Sequence, residues 1–141
     1  MQMGHVGLNV SDLGRSKKFY LDLLGFEIKA ESENFILLGR GPQILLTLWQ
    51  QARGDYAPAQ AGLHHLSFQV ESMADVRAAE GKLKGQGVEF QYHGIVPHLE
   101  GAASGGIFFH DPDGIRLEIF APTGAEGLAA PHHDAPSCGF F

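Results

Sequence analysis

Two segments sixty positions apart carry the same pattern, His5-Val6-Gly7-Leu8-Asn9-Val10 and His65-Leu66-Ser67-Phe68-Gln69-Val70. In each, apolar and polar residues alternate, the signature of a strand with one face buried and one face wet. Each is followed by a helical stretch. The first starts at an Asp12 or Ser11 cap and places Leu13, Phe19, Tyr20, Leu23 and Leu24 at helical spacing before Gly25, where a left-handed stop is wanted. Gly14 lowers helix propensity in its first turn. The second begins with the capping-box-like run Ser72-Met73-Ala74-Asp75, carries Met73, Val76, Ala79 and Leu83 on one face, and ends at Gly85 and Gly87.

After each helix come three short strand-like runs. They are 26–30, 35–38 and 44–49 in the first half, and 88–92, 107–110 and 115–120 in the second. Both halves therefore read β-α-β-β-β. The expected class is α+β, with two paired modules forming a curved mixed sheet around a shared cavity. Module one spans 4–50, a linker rich in Ala and Pro covers 51–62, and module two spans 63–122, together one domain over 1–122. Asp111-Pro112-Asp113-Gly114 marks a tight turn joining the last two strands as a hairpin. From 123 to 141 the periodicity fades and Gly, Ala, Pro and His accumulate, which reads as an extended or disordered tail.

Charge and composition narrow the function. A net charge of −6 speaks against nucleic acid as a partner. No apolar run reaches the length of a membrane span, and no signal-like leader opens the chain, so a cytoplasmic protein without membrane contact is expected. A single cysteine, Cys138, rules out an internal disulfide.

Alternation also places the chemistry. His5 shares a face with Gly7 and Asn9, His65 with Ser67 and Gln69, and Glu118 lies opposite Leu117 and Ile119. Two imidazoles and a carboxylate on the polar faces of three strands are the donor set of a divalent transition-metal site with open positions. His5, His65 and Glu118 are thus the expected metal ligands. His64, by parity, belongs with Leu66 and Phe68 and reads as a packed or edge histidine. Thr47 falls where a fourth inward group would sit, a poor ligand beside a carboxylate. Trp49, on the same face, suits either stacking on an aromatic substrate or closing the core. Phe108 is placed inward and His110 at the rim. His98, in a loop with Pro97, is the candidate acid or base, weighed against an ordinary solvated loop histidine. In the tail, His132, His133 and Cys138 do not readily surround an ion without other ligands.

The run from His5 through Asp12-Leu13, with Arg15-Ser16, Phe19-Tyr20 and Leu23-Leu24-Gly25-Phe26, resembles the vicinal oxygen chelate superfamily. The resemblance continues through His65-Leu66-Ser67-Phe68 and from Asp111-Pro112-Asp113-Gly114 to Leu117-Glu118, covering residues 5 to about 122. That superfamily includes glyoxalases, extradiol dioxygenases, fosfomycin-resistance enzymes and bleomycin-binding proteins. The resemblance implies ligands at His5, His65 and Glu118, a small-molecule substrate and a homodimer. Departures accompany it. Glyoxalases place a fourth ligand, a glutamate, where this chain has Thr47. Extradiol dioxygenases carry a tyrosine where Phe108 stands, while a further histidine that they place twenty positions before the ligand glutamate, beside the metal but not bound to it, is matched by His98. Fosfomycin-resistance enzymes have a threonine and a lysine where Gly7 and His98 stand. No single activity of the superfamily fits cleanly, but three protein ligands with an open face favour a non-haem Fe(II) dioxygenase-like enzyme. A glyoxalase-like lyase or another metal-dependent transferase using Zn, Ni or Mn is the alternative, and an antibiotic-sequestering protein the third.

Overall fold

Each half of the chain builds its own mixed sheet under its own helix. The computed structural model describes residues 2–141 and divides into two compact units, Met1–Tyr56 and Ala57–Phe141. In the first, β1 (Val6–Asn9) leads to α1 (Leu13–Leu24), then β2 (Glu27–Glu31), β3 (Phe35–Arg40) and β4 (Gln43–Trp49). The strand order is β1-β4-β3-β2, with β1 parallel to β4 and the other pairs antiparallel. Asp12 is the helix cap, its side chain accepting from the Arg15 amide at 2.8 Å, so the first turn is secured despite Gly14. Gly25 stops the helix in the left-handed region at φ 60°, its amide donating to the Leu21 carbonyl. The apolar sides of the strands supply Leu8, Ile36, Leu38, Leu46 and Leu48 to the core, and the helix adds Leu13, Phe19 and Tyr20.

The second unit repeats the plan with β5 (Leu66–Gln69), α2 (Met73–Gly85), β6 (Val96–Pro97), β7 (Gly105–His110) and β8 (Arg116–Ala121). Its order, β5-β8-β7-β6, again sets the first strand parallel beside the last. Ser72 and Asp75 close the expected capping box on α2. Met73, Val76 and Leu83 pack from the helix over Ile107, Phe109, Leu117 and Ile119 in the buried layer. The hairpin between β7 and β8 forms as expected, with Asp111 Oδ1 accepting from the amides of Asp113 and Ile115.

Two sequence expectations differ from the structure. Residues 88–92 are not a strand; only Phe90 bridges to Phe109, and the sheet's edge is instead the two-residue β6. Pro97, read from sequence as part of a loop, sits in that edge strand, where a missing N–H costs no interior ladder bond. The second difference is the tail. Residues 123–141 are irregular in path, but they fold back onto the second unit instead of extending from it. They end in a short 3-10 turn, Ser137–Phe140, with Ser137 and Phe141 buried.

Candidate functional site

The register of the second sheet decides which side chains meet. Phe108 pairs with Glu118, His110 with Arg116, Ser67 with Glu118 and Val96 with Gly106. Partners across a ladder share a face. His65 immediately precedes β5 and His98 immediately follows β6, so both come to the side that holds Phe108, His110 and Glu118.

Glu118 is the centre of this face. Its side chain is buried, and its two oxygens are used differently. Oε1 lies 2.5 Å from His98 Nε2, while Oε2 stands 3.6 Å from His65 Nε2. His98 is fixed at its other nitrogen by Ser104 Oγ at 2.8 Å. His65 is engaged at Nδ1 by His64 Nδ1 at 2.9 Å, which leaves Nε2 turned toward the carboxylate. Burial lowers the His65 pKa and outweighs the opposing pull of Glu118; His64, Arg116 and His98 act in the same direction as burial. The imidazole is thereby held toward its neutral form, the form that ligates metals.

These groups suit a divalent ion. Two donors each about 2.0–2.2 Å from one metal stand roughly 3–4 Å apart, and the 3.6 Å gap between His65 Nε2 and Glu118 Oε2 falls in that span. It is too wide for a hydrogen bond. Among the described residues no group of three or more His, Cys, Asp or Glu side chains is disposed to hold an ion unaided. The His65–Glu118 pair supplies two donors, and Nδ1 and the other carboxylate oxygen are already oriented by neighbours, as ligands of this kind usually are.

Of the remaining expected site residues, all but Phe108 lie in the first unit. His5 is exposed and precedes β1. Thr47 is buried at 3 % exposure, and its hydroxyl accepts from Trp49 Nε1 at 3.0 Å, with the Trp49 ring tilted against Phe35. A methyl added at Gly7, which pairs with Thr47, would sit 3.1 Å from that hydroxyl. Phe108 is fully buried on the Glu118 face, its ring meeting those of Tyr92, His98 and Phe141.

Three residues escaped sequence reading. Ser104 orients His98 from six positions away. Tyr92 donates its hydroxyl to the Ser137 carbonyl, and Phe141 stacks near His65 at 5.9 Å. The signal for the last was present. A Phe140-Phe141 pair is an apolar anchor in an otherwise polar tail. Cys138 packs against the same cluster of Val96, Phe108 and Phe141, and burial, then the Glu118 charge, pushes its thiol pKa up.

Comparison with known proteins agrees with this architecture. The family pattern described as the glyoxalase/bleomycin resistance protein/dioxygenase superfamily matches residues 2–119. The chain is 35 % identical over 123 residues to a protein of Bacillus sp. (strain MD1) named a trivalent organoarsenical cleaving enzyme, covering 85 % of this chain and 73 % of that one. It is 30 % identical to a protein of Serratia marcescens named glutathione transferase FosA, covering 91 % and 86 %. A crystal structure of a glyoxylase/bleomycin resistance protein/dioxygenase domain from Frankia sp. EAN1pec superposes with a TM-score of 0.66 at 29 % identity, over 86 % of this chain and 97 % of that one. No helix among the described residues is long and apolar enough to cross a membrane.

Proposed function

Because the chain belongs to the glyoxalase/bleomycin resistance protein/dioxygenase superfamily, we propose that it is a metal-dependent enzyme gripping two neighbouring oxygens of a small substrate. His65, Glu118 and His5 are its protein ligands in this reading, and Fe(II) its preferred ion. When bound, the ion supplies Lewis-acid polarisation of substrate oxygens and, as iron, access to oxygen chemistry. The chain's own residues prepare that centre. Burial keeps His65 toward the neutral form, His64 aims its Nε2, and His98 holds one Glu118 oxygen so that the other is presented. His98 is accordingly a positioning residue here, itself set by Ser104.

One observation carries the reading: a buried carboxylate whose free oxygen stands 3.6 Å from an imidazole nitrogen. A sequestering protein has little use for a charge kept out of water at such cost. Lyase or transferase chemistry with Zn, Ni or Mn is the second reading; for the transferase reaction, though not for the metal, its support is the name of the 30 % identical relative, a glutathione transferase.

The test is anaerobic loading with Fe(II), followed by elemental analysis of the wild type and of His5→Ala, His65→Ala and Glu118→Ala. Stoichiometric iron in the wild type and its loss in each variant is expected; unchanged loading in all three would overturn the assignment. A homodimer completes the proposal, and light scattering behind size exclusion should return twice the chain mass.

A further inference from the structure

The Phe141 ring sits in a slot on the same face of the second sheet as Glu118, and only 8 % of the residue is exposed. Phe108 meets the ring edge-on at 5.3 Å and His110 edge-on at 5.6 Å. His65 lies nearly parallel to it at 5.9 Å, and the Arg116 guanidinium carbon stands 5.7 Å from its centroid. Three aromatic rings and a cation around one six-membered ring form a π-accepting environment, complementary to its negative face and positive edge. The walls are fixed independently of their occupant. Phe108, His110 and Arg116 belong to the β7–β8 ladder, and His65 immediately precedes β5, which pairs with β8.

The occupant is attached differently. It arrives on residues 137–141, which join no sheet and are fastened by a few hydrogen bonds. The Ser137 amide donates to the His98 carbonyl at 2.8 Å, and Ser137 Oγ to the Pro97 carbonyl at 2.6 Å. Tyr92 donates to the Ser137 carbonyl at 2.7 Å and Gln91 Nε2 to the Phe140 carbonyl at 3.0 Å. One wall also carries a spare polar atom. His110 Nδ1 is buried with no hydrogen-bond partner among the described residues, a position suited to a ring bearing a hydroxyl.

We propose that this slot is a binding subsite for the aromatic ring of a small phenolic ligand, and that Phe141 is its built-in occupant, which the ligand displaces. The proposal rests on the metal reading only in setting the bound ring beside His65 and Glu118; the slot itself needs no ion. Segment 137–141 therefore works as a strap that closes the face when no ligand is present.

The probe is 4-fluorophenol, followed by fluorine NMR on the full chain with EDTA present. Phe141→Ala should bind it about tenfold more tightly than the wild type, because the internal competitor no longer reduces the binding-competent fraction. Tyr92→Phe, which only loosens the strap, should bind roughly two- to tenfold more tightly, as expected for loss of one hydrogen bond. Phenol should displace the probe and cyclohexanol should not. Equal affinity in the wild type and Phe141→Ala, or displacement by cyclohexanol as effective as by phenol, would overturn the proposal. If Phe141→Ala does not fold, Tyr92→Phe decides alone, and wild-type affinity there counts against it. Because metal is chelated throughout, failure of iron loading and failure of this subsite are separate results.

Discussion

Glu118 combines 3 % exposure with two histidine neighbours, and a charge so placed makes its partners consequential. Removing His98 leaves one carboxylate oxygen unheld. His98→Ala should therefore keep full metal loading at saturation but weaken metal affinity about 10–100-fold, the usual effect of losing an orienting partner, measured by competition with a chromophoric chelator. Tyr92 gives a prediction in pH. Its pKa is raised above the ordinary tyrosine value by burial first and by Cys138 second, so the folded state keeps its proton after the unfolded chain has lost it. The contribution of this side chain should be fully present below about pH 10 and be lost as pH rises beyond it, so Tyr92→Phe should show a shallower alkaline fall in stability than the wild type in urea titrations. His65 and Glu118 were legible in the sequence because strand alternation alone fixes their side of the sheet. The tie between His98 and Glu118 was not, since it joins a loop position to a strand twenty residues away and depends on where β6 ends.

Elements follow the same division. Helix caps and the hairpin turn were readable because they are local: Asp12, Ser72 and the Asp111 turn make their bonds within four residues. Ser72→Ala should cost about 1 kcal/mol in chemical denaturation, the typical value of a side-chain cap. The segment 88–92 misled because its alternation fits an edge strand, yet an edge needs pairing along one side only, and here the ladder is interrupted until Val96. The tail misled because composition measures average polarity, whereas a single buried ring and a single buried serine anchor it. Gly106 belongs to β7 for a reason invisible in the sequence. A methyl there would lie 2.1 Å from the Ile119 carbonyl oxygen and 2.8 Å from Phe120 Cα. Because those are backbone atoms of the neighbouring strand, Gly106→Ala should destabilise the second unit by about 3 kcal/mol or more, seen as a lowered midpoint in thermal unfolding.

For the molecule as a whole, the repeat was the most legible feature, and the two four-stranded sheets follow it strand for strand except at the edge of the second. Metal binding should register globally. An ion at about 100 times its dissociation constant adds about 2.7 kcal/mol to the state that holds it. Fe(II) should raise the calorimetric melting temperature of the wild type by several degrees and leave His65→Ala unmoved, with EDTA reversing the gain. The parallel pairing of β1 with β4, and of β5 with β8, has a consequence of its own. In each sheet the earliest strand is completed only by the last, so neither module has a finished hydrogen-bonded sheet until its closing segment has been synthesised. A growing chain leaving the ribosome can therefore finish the first module once Trp49 has emerged, well before the second is translated, whereas Leu66–Gln69 must wait with an open edge for Arg116–Ala121 to appear.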